Sequence, residues 1–349
     1  MKSMNMSIAP KDTDWMSLAR KSLKGECLTV EEGIAVLDAD NDEVLPLLHA
    51  AYVVRRHFYG NKVKLNMIIN AKSGLCPEDC GYCSQSIRSS ASIPKYSLLD
   101  KETLLSGAQE AMARQAGTYC IVASGKGPTN QELEQVIDAV KEIRATLPLK
   151  ICACLGILKE GQAERLAEAG VHRYNHNLNT SRDNYPSITT THTYDQRVET
   201  VEKARTSGMS PCSGVIIGMG ESQRDIVGMA FALREHDADS IPVNFLNAIP
   251  GTPMEGASRT TSMRALKVLA LFRLICPSKE IRVAGGREIS LRSLQPLALY
   301  AANSIFVGDY LTTAGQDITN DHQMIEDLGF EIELNALQGG ADKYELDGK

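Results

Sequence analysis

The chain has 349 residues, and its 37 Lys and Arg against 43 Asp and Glu give a formal net charge of −6. This balance argues against a nucleic-acid-binding surface, because such surfaces use clustered Lys and Arg to displace phosphate counterions. Hydrophobic residues make up 43% of the chain and charged residues 23%, which is ordinary for a globular protein with a substantial core. Length alone is compatible with two domains or with one α/β barrel.

No apolar run is long enough to cross a membrane, which takes about 18 uninterrupted apolar residues. The longest candidates are 268–276, interrupted by Arg273, and 296–308, which contains Asn303 and Ser304. The first 15 residues lack the apolar segment of a secretory signal. We therefore expect a cytoplasmic protein without membrane spans. Its nine cysteines are then expected to be metal ligands, catalytic thiols or core residues rather than disulfides.

Predicted helices and strands alternate along most of the chain, after a helical N-terminal extension over residues 1–60. The predicted strands cover residues 65–71, 118–123, 150–155, 173–178, 213–217, 243–246, 281–284 and 304–307. The predicted helices cover residues 101–116, 130–146, 159–169, 194–207, 223–237, 262–276 and 289–302. Eight strands separated by helices favour an α/β fold of the TIM-type (β/α)8 barrel class over an open doubly wound sheet.

Residues typical of helix ends support these boundaries. Thr129 and Glu132 have the spacing of a capping box at the start of the helix 130–146. Gly117, Gly170 and Gly208 each follow a predicted helix, where glycine can adopt the left-handed conformation that ends it. We expect these three glycines to be C-terminal caps.

Three cysteines lie close together directly after the first predicted strand. Cys76, Cys80 and Cys83 form the pattern CxxxCxxC, and thiolates at such short spacing favour zinc, copper(I) or iron–sulfur clusters. A tetrahedral zinc site or a fully ligated 4Fe-4S cluster takes four protein ligands. Three cysteines therefore leave one position open for chemistry. Two alternatives are a zinc site completed by a distant residue and a set of buried thiols.

With Tyr82 before its last cysteine, this motif resembles the signature of the radical S-adenosylmethionine enzymes, which carry it after the first barrel strand. The resemblance implies a 4Fe-4S cluster on the three cysteines and S-adenosyl-L-methionine on the open iron. One electron then cleaves the sulfonium to give a 5′-deoxyadenosyl radical. The active site is implied at the C-terminal ends of the strands, with Tyr82 near the adenine; the alternative for Tyr82 is a partly exposed loop aromatic.

Further segments resemble the biotin synthase family between about residues 50 and 330, namely 76–86, 174–181, 212–221 and 286–288. That family holds a second, 2Fe-2S cluster deep in the barrel. The positions that match its ligands are Cys120, Cys152, Cys212 and Arg282. Without the resemblance, a strand cysteine is usually a small core residue, and a buried arginine pairs with a carboxylate.

Two other cysteine assignments depend on position. Cys152 and Cys154 are two residues apart, so they share one face of a strand and periodicity does not choose between them. The family spacing before Leu155 favours Cys152, and Cys154 stays a substitute ligand. Cys27 and Cys276 match no ligand position, and we expect them to be structural.

Three asparagines are candidates for ligand binding. Asn177 and Asn179 share a face of the predicted strand 173–178 and its extension, where their amides can bind a polar ligand or cap the strand end. By resemblance, Asn177 lies between the adenosyl ribose and the substrate, Asn179 near the ribose hydroxyls, and Asn244 near the ureido ring of the substrate. Many members carry aspartate at the position of Asn179, so the neutral amide gives up charge-assisted hydrogen bonds.

Gly218 and Gly220 follow a predicted strand, as in a dinucleotide-binding fingerprint. The third glycine of that fingerprint is missing, because position 223 is Gln, so a nucleotide-binding turn of that class is not indicated. The resemblance instead implies close approach of this backbone to the adenosyl group; the alternative is a simple turn.

The resemblance also divides the chain. It implies a radical SAM core over 61–288, and a part over 289–334 with the last barrel helix and strand plus a C-terminal helix. Residues 335–349, with Gly339, Gly340 and mixed charge, predict a short flexible tail. The serine-rich segment 84–97 predicts a mobile loop.

The implied activity is a radical SAM sulfurtransferase that inserts sulfur into dethiobiotin to form biotin. The C–H bonds concerned are not acidic, so acid–base groups do not suffice and a radical is required. Sulfur is implied to come from the 2Fe-2S cluster, electrons from a flavodoxin-type reductant, and the active unit is implied to be a homodimer without nucleic-acid or membrane partners. The alternatives are another radical SAM enzyme with a different small-molecule substrate, such as a mutase or a hydrogenase-cofactor maturase, and a non-catalytic iron–sulfur or zinc protein.

Overall fold

The computed structural model describes residues 14–334; the predicted tail 335–349 and residues 1–13 of the predicted extension lie outside them. The helices are α1 Trp15–Leu23, α2 Val30–Asp38, α3 Val44–Tyr59, α4 Lys101–Ala113, α5 Asn130–Thr146, α6 Gln162–Glu168, α7 Tyr185–Ile188, α8 Tyr194–Thr206, α9 Gln223–Glu235, α10 Ser262–Ile275, α11 Arg287–Leu291, α12 Gln295–Ala298 and α13 Ile318–Asp327. The strands are β1 Lys62–Lys72, β2 Thr118–Ala123, β3 Lys150–Cys154, β4 Arg173–Asn175, β5 Ser210–Cys212, β6 Val215–Ile217, β7 Ser240–Phe245, β8 Glu280–Val283, β9 Ser304–Val307 and β10 Glu331–Ile332.

The strands form a closed parallel barrel. They pair in the order β1, β2, β3, β4, β5, β7, β8, β9, and β9 pairs back onto β1. Both β5 and β6 pair with β7, so these two short strands are one interrupted barrel strand. Outside the barrel, β10 pairs with the start of β1. The predicted TIM-type barrel is therefore confirmed.

Gly214 explains the interruption between β5 and β6. A Cβ atom at this position would lie 2.0 Å from the carbonyl oxygen of Pro242, so the backbone crosses β7 in a contact that only glycine permits. Ser213 follows this path, since its backbone N–H donates to Ser240 and its hydroxyl donates to the carbonyl of His176, 3.0 and 2.9 Å away. The prediction of one continuous strand over 213–217 is wrong.

Three further sequence predictions need correction. The strand predicted over 173–178 ends at Asn175. The helix predicted over 289–302 is broken, because Arg292 has a φ of +53° and Pro296 begins a new turn. At the end of α4 the left-handed residue is Gln115, with φ +59°, rather than Gly117. The predicted caps Gly170 and Gly208 are confirmed, with φ of +97° and +86°.

Helices α1, α2 and α3 pack on the outside of the barrel against α10. Residues 265–275 of α10 are all buried, because the barrel covers one side and these three helices cover the other. Ser22 ties α1 to this helix through a 2.7 Å hydrogen bond to the carbonyl of Leu274. Within residues 14–334, no helix is both long and apolar enough to cross a membrane.

Candidate active site

A cavity of about 390 Å³ opens among the C-terminal ends of the strands and the loops that follow them. This is the end at which barrels of this class carry their active sites. The predicted site residues that line it are Cys76, Cys80, Tyr82, Cys83, Cys120, Cys152, Asn177, Asn179, Asn244 and Arg282. Cys212 lies directly beneath the lining, against Cys152. The lining does not include Gly218 or Gly220; the backbone N–H groups of Gly218 and Met219 donate to the carboxylate of Glu221 instead, each at 2.7 Å.

Residues 73–87, here called the cysteine loop, form one wall of the cavity. The backbone N–H of Gly74 donates to the Gln85 side chain at 2.9 Å, and the N–H of Ile87 donates to the carbonyl of Glu78 at 3.0 Å. Within the serine-rich segment 84–97, which has neither helix nor strand, residues 84–86 are buried. The loop is thereby folded back on itself, with its three thiols on one side.

The three thiols of the cysteine loop fit a shared cationic ligand. Burial, together with the nearby Cys80 and Cys76, raises the pKa of the Cys83 thiol to about 12. Burial likewise raises the pKa of Cys76 and Cys80. Cys80 is buried, and Cys76 and Cys83 are half-buried. Closely spaced thiols of this kind, which repel one another's charge, become thiolates beside a cation, as in a metal site. The donor set therefore fits an iron–sulfur cluster with an open position. In the described part of the chain, no three His, Cys, Asp or Glu side chains converge tightly enough to hold a single metal ion.

The two acidic residues of the motif anchor the cysteine loop to residues 189–192. Asp79 accepts hydrogen bonds from the hydroxyls of Thr189 and Thr190, at 2.7 and 2.6 Å, and from the Thr190 backbone at 2.9 Å. Burial opposes ionisation of Asp79, but these bonds hold its pKa well below the usual value. Glu78 binds His192 Nδ1 and the hydroxyl of Thr191. The carboxylates of Glu78 and Asp79 thus hold the cysteine loop in place against residues 189–192.

Arg197 is a site residue that the sequence analysis missed. From α8 its buried guanidinium reaches the cavity and donates to the carbonyl of Asn177 at 2.8 Å and to His192 Nε2 at 3.0 Å. Burial and the charge of Arg197 lower the pKa of His192, so the neutral ring donates from Nδ1 to Glu78 and accepts at Nε2. A fixed cation therefore stands near Cys80 and Tyr82, where a ligand carboxylate can pair with it.

Tyr82 and Asn179 are linked across the cavity. The Asn179 amide donates to the Tyr82 hydroxyl at 2.8 Å. Asn179 has a left-handed φ of +68°, which asparagine tolerates better than most residues. Its backbone N–H donates to the carbonyl of Gly214, in the strand interruption, at 3.0 Å, and its carbonyl accepts from the N–H of Ile216 in β6 at 2.8 Å. Asn177 and Asn179 thus reach the cavity from a turn beyond β4 and not from a strand face as predicted.

Cys120, Cys152 and Cys212 meet inside the barrel, deeper than the cysteine loop. Cys120 and Cys152 are direct partners on β2 and β3, and the Cys152 thiol is hydrogen-bonded to both other cysteines. The bond with Cys120 and burial raise the pKa of Cys152. Asn175 donates to the Cys212 sulfur at 3.1 Å. Cys154 also lines the cavity, two residue pairs further along the same strands, where it is the partner of Val122.

Arg282 borders these three thiols and is itself held by polar groups. Its Nη2 donates to Glu280 at 2.5 Å and to the hydroxyl of Ser240 at 3.0 Å, and its Nε donates to Ser304 at 3.2 Å. The geometry therefore contains the carboxylate pairing expected from arginine chemistry alone. The guanidinium also lines the cavity, next to Cys152 and Cys212; the pKa of both thiols is raised, and the charge of Arg282 offsets only part of that rise.

Glu280 is the buried anion beneath these thiols. Its carboxylate lies 2.5 Å from Arg282, 3.1 Å from Arg173 and 3.7 Å from Lys64. Burial opposes ionisation, but the three cations hold the pKa of Glu280 well below its usual value. The floor of the site is therefore a closed ionic network.

The segment after β9 completes the cavity. Tyr310, Leu311, Thr312 and Thr313 line it. The Tyr310 hydroxyl donates to the Glu288 carboxylate at 3.1 Å, and Thr312 and Ser84 share a hydroxyl hydrogen bond of 2.8 Å. The only sequence signal for this wall was a hydroxyl-rich run after the last barrel strand, the position where such barrels carry functional loops.

Comparison with known proteins gives the class of this site. Residues 72–233 match the Radical SAM superfamily, and residues 242–331 match the Biotin and Thiamin Synthesis associated domain. The chain is therefore a radical SAM enzyme with a barrel fold. Biotin synthase of Bacillus pumilus (strain SAFR-032) is 64% identical over 94% of this chain and 99% of its own length. Biotin synthase of Bacillus licheniformis is 65% identical, over 91% of this chain and 96% of its own length. The chain belongs to the biotin synthase family.

Solved structures agree on the fold. Methylornithine synthase superposes with a TM-score of 0.80 over 90% of this chain and 97% of that chain, at 20% sequence identity. At this identity the likeness concerns the barrel fold alone.

Proposed function

We propose that this enzyme converts dethiobiotin to biotin, with sulfur supplied by an auxiliary 2Fe-2S cluster. The observation that carries the proposal is one cavity with two sets of thiols at different depths. Cys76, Cys80 and Cys83 would hold a 4Fe-4S cluster, and Cys120, Cys152 and Cys212 with Arg282 would hold the 2Fe-2S cluster. When bound there with S-adenosyl-L-methionine and given one electron by a reductant, the first cluster would provide a 5′-deoxyadenosyl radical, and the second would provide sulfide.

The remaining polar residues would bind and orient the ligands. Arg197 offers a fixed positive charge for a carboxylate, and the Asn179 amide, held by Tyr82, would face the ribose hydroxyls. Asn177 would lie between ribose and substrate. The Asn244 amide bridges the Val215 carbonyl and the Gly285 N–H, at 3.0 and 2.9 Å. This fixes its orientation, so that its second N–H and second lone pair are available to a ureido ring. Gly218 and Gly220 would support the adenosyl site through their backbone, from behind the residues that line the cavity.

Apolar side chains fill much of the wall between these polar groups, among them Ile68, Val122, Ile216 and Phe306. They offer no hydrogen bonds to water, so a bound substrate would displace solvent from the reacting carbons. A radical exposed to solvent would abstract hydrogen from other groups, and an apolar wall that excludes water limits these side reactions. We further propose a homodimer in the cytoplasm that receives electrons from a flavodoxin-type protein.

Replacement of Cys152 tests the assignment of the sulfur donor. Cys152→Ser should abolish biotin formation while S-adenosyl-L-methionine cleavage continues, because the radical is generated at the other thiol set. Cys276→Ser is the matched control, since Cys276 is buried against the carbonyl of Ala230 outside the cavity, and it should keep both activities. Cys154→Ser shows whether the neighbouring thiol contributes. Undiminished biotin formation by Cys152→Ser would refute the assignment.

Iron and sulfide content with a Mössbauer spectrum, on protein reconstituted without oxygen, tests the cluster assignment. We expect separate 4Fe-4S and 2Fe-2S signals. A 4Fe-4S signal alone would favour a radical SAM enzyme with a different small-molecule substrate.

A further inference from the structure

The two most exposed large apolar side chains of the described residues both belong to the cysteine loop. Leu75 is 65% exposed and Ile87 is 69% exposed. Leu75 also has a left-handed φ of +53°, a backbone conformation that leucine adopts only under strain. Leu75 directly precedes Cys76, and Ile87 is bound through its N–H to the carbonyl of Glu78. Apolar surface is thus presented to solvent at the loop that carries the first thiol set.

Basic side chains lie beside the cysteine loop and the segment that anchors it. Arg88 and Lys95 are exposed, and Lys95 packs on the loop, since a Cβ on Gly74 would lie 2.7 Å from its Cγ. Lys126 is exposed and donates at 2.9 Å to the carbonyl of Thr191, in the segment that anchors the loop.

The acidic residues of the same stretch are withdrawn from the surface. Between residues 73 and 99 the acids are Glu78 and Asp79, both buried and hydrogen-bonded to residues 189–192. The exposed charges of that stretch are therefore all positive, on a chain whose net charge is −6. Such a local reversal of charge attracts a negatively charged partner.

We infer that Leu75, Ile87, Arg88, Lys95 and Lys126, here called the donor surface, form the docking site for an acidic one-electron donor protein. The inference rests on the proposed function, which requires electrons at Cys76, Cys80 and Cys83. An apolar centre with a charged rim is the usual anatomy of a protein interface, and small areas suffice for redox encounters that must dissociate after each transfer. The donor would approach over the loop itself, the shortest path to the thiols.

The test compares two reductants on the same variants. Leu75→Asn with Ile87→Ser removes the apolar centre, and asparagine tolerates the left-handed backbone at position 75. Arg88→Glu with Lys95→Glu reverses the rim. The assay measures 5′-deoxyadenosine formation by reconstituted enzyme, with reduced flavodoxin or with dithionite. With flavodoxin we expect kcat/KM for the donor to fall about ten-fold or more in the charge-reversed variant, and with dithionite we expect rates within about two-fold of the unmodified enzyme, because a small reductant needs no docking surface.

Leu45→Asn, at a residue 64% exposed on α3, is the matched control and should leave both rates unchanged. A parallel fall with dithionite in both variants would show that these residues maintain the loop rather than dock a partner, and it would overturn the inference. Unchanged rates with both reductants would overturn it as well.

Carbodiimide cross-linking to flavodoxin, mapped by mass spectrometry, gives a readout that does not depend on activity. Cross-links from Lys95 and Lys126 to donor carboxylates are expected, and cross-links confined to other lysines would overturn the inference. If the unmodified enzyme fails to cleave S-adenosyl-L-methionine with dithionite, the proposed function fails, and the cross-link map still decides where the donor binds.

Discussion

Replacing Glu280 by Gln should destabilise the barrel far more than a typical surface change. The substitution preserves side-chain shape but leaves Arg282, Arg173 and Lys64, at 2.5, 3.1 and 3.7 Å, without their shared anion. Removing one partner of a buried ion pair costs about 3–5 kcal/mol, because the other charge stays desolvated. A domain is typically stable by only about 5–15 kcal/mol, so the loss is a large fraction of the total.

Urea denaturation of the cluster-free protein, followed by circular dichroism, measures this loss as a lower midpoint at an unchanged slope. Glu333→Gln is the matched control. Its carboxylate also pairs with Lys64, at 3.5 Å, but its side chain is 32% exposed, so the cost should stay below about 1 kcal/mol. Equal, small losses for the two variants would refute the reasoning that the floor of the site depends on charge.

Three further predictions concern the glycines, the Asn179 amide and a helix cap. Gly214→Ala should lower the urea midpoint by several tenths molar or more, as the new Cβ meets the Pro242 carbonyl at 2.0 Å. Gly228→Ala, in α9 with open space around the added carbon, should instead stabilise the protein by roughly 0.5–1 kcal/mol. Asn179→Asp should tighten S-adenosyl-L-methionine binding several-fold, roughly 1 kcal/mol in calorimetry, by making the bonds to ribose hydroxyls charge-assisted. Asp225→Asn, at the start of α9, should lower the free energy of unfolding by about 1 kcal/mol at pH 7. Burial opposes ionisation of Asp225, but hydrogen bonds from two serine hydroxyls outweigh it and lower its pKa. The cost is therefore present above pH of about 3.9 and disappears as the pH falls through the lower folded pKa.

Each of these has an outcome that contradicts it. Equal urea midpoints for Gly214→Ala and the unmodified protein would mean that the backbone at position 214 has room for a Cβ beside the Pro242 carbonyl. Weaker binding by Asn179→Asp would show that the amide N–H, which bonds the Tyr82 hydroxyl, matters more than the charge. A cost of Asp225→Asn that is constant from pH 7 to pH 3 would exclude the carboxylate charge as its source.

The barrel could be predicted because its signal is local and repeated. Each helix shows its own apolar stripe and each strand its own short apolar run, so alternation along the chain was enough. The break at Gly214 could not be predicted from the sequence, because its cause is the carbonyl of Pro242, which comes near only when the barrel is closed. The left-handed backbone at Asn179 likewise depends on distant partners, Gly214 and Ile216, so the sequence did not indicate that β4 ends before it, at Asn175.

The site was predictable to the extent that its chemistry is carried by residue type. Cysteine spacing indicated the first thiol set, and only family resemblance connected Cys120, Cys152, Cys212 and Arg282. Arg197 gave no signal, because an arginine on an amphipathic helix is ordinarily solvated. It reaches the cavity through hydrogen bonds to His192, Tyr185 and Asn177, and the last two lie 12 and 20 positions away in the sequence.

Closure of the barrel by β9 against β1 also sets an order of events during synthesis. A ribosome delivers the deep thiols of Cys120, Cys152 and Cys212 well before β9, which ends at Val307. At about 5–20 residues per second, the sheet that holds these thiols lacks its last strand for roughly 5–20 s after Cys212 has been made. The wall formed by Tyr310 to Thr313 arrives later still. In a nascent chain these deep thiols are therefore accessible from the open side of the sheet, whereas in the closed barrel they are reached only through the mouth of the cavity.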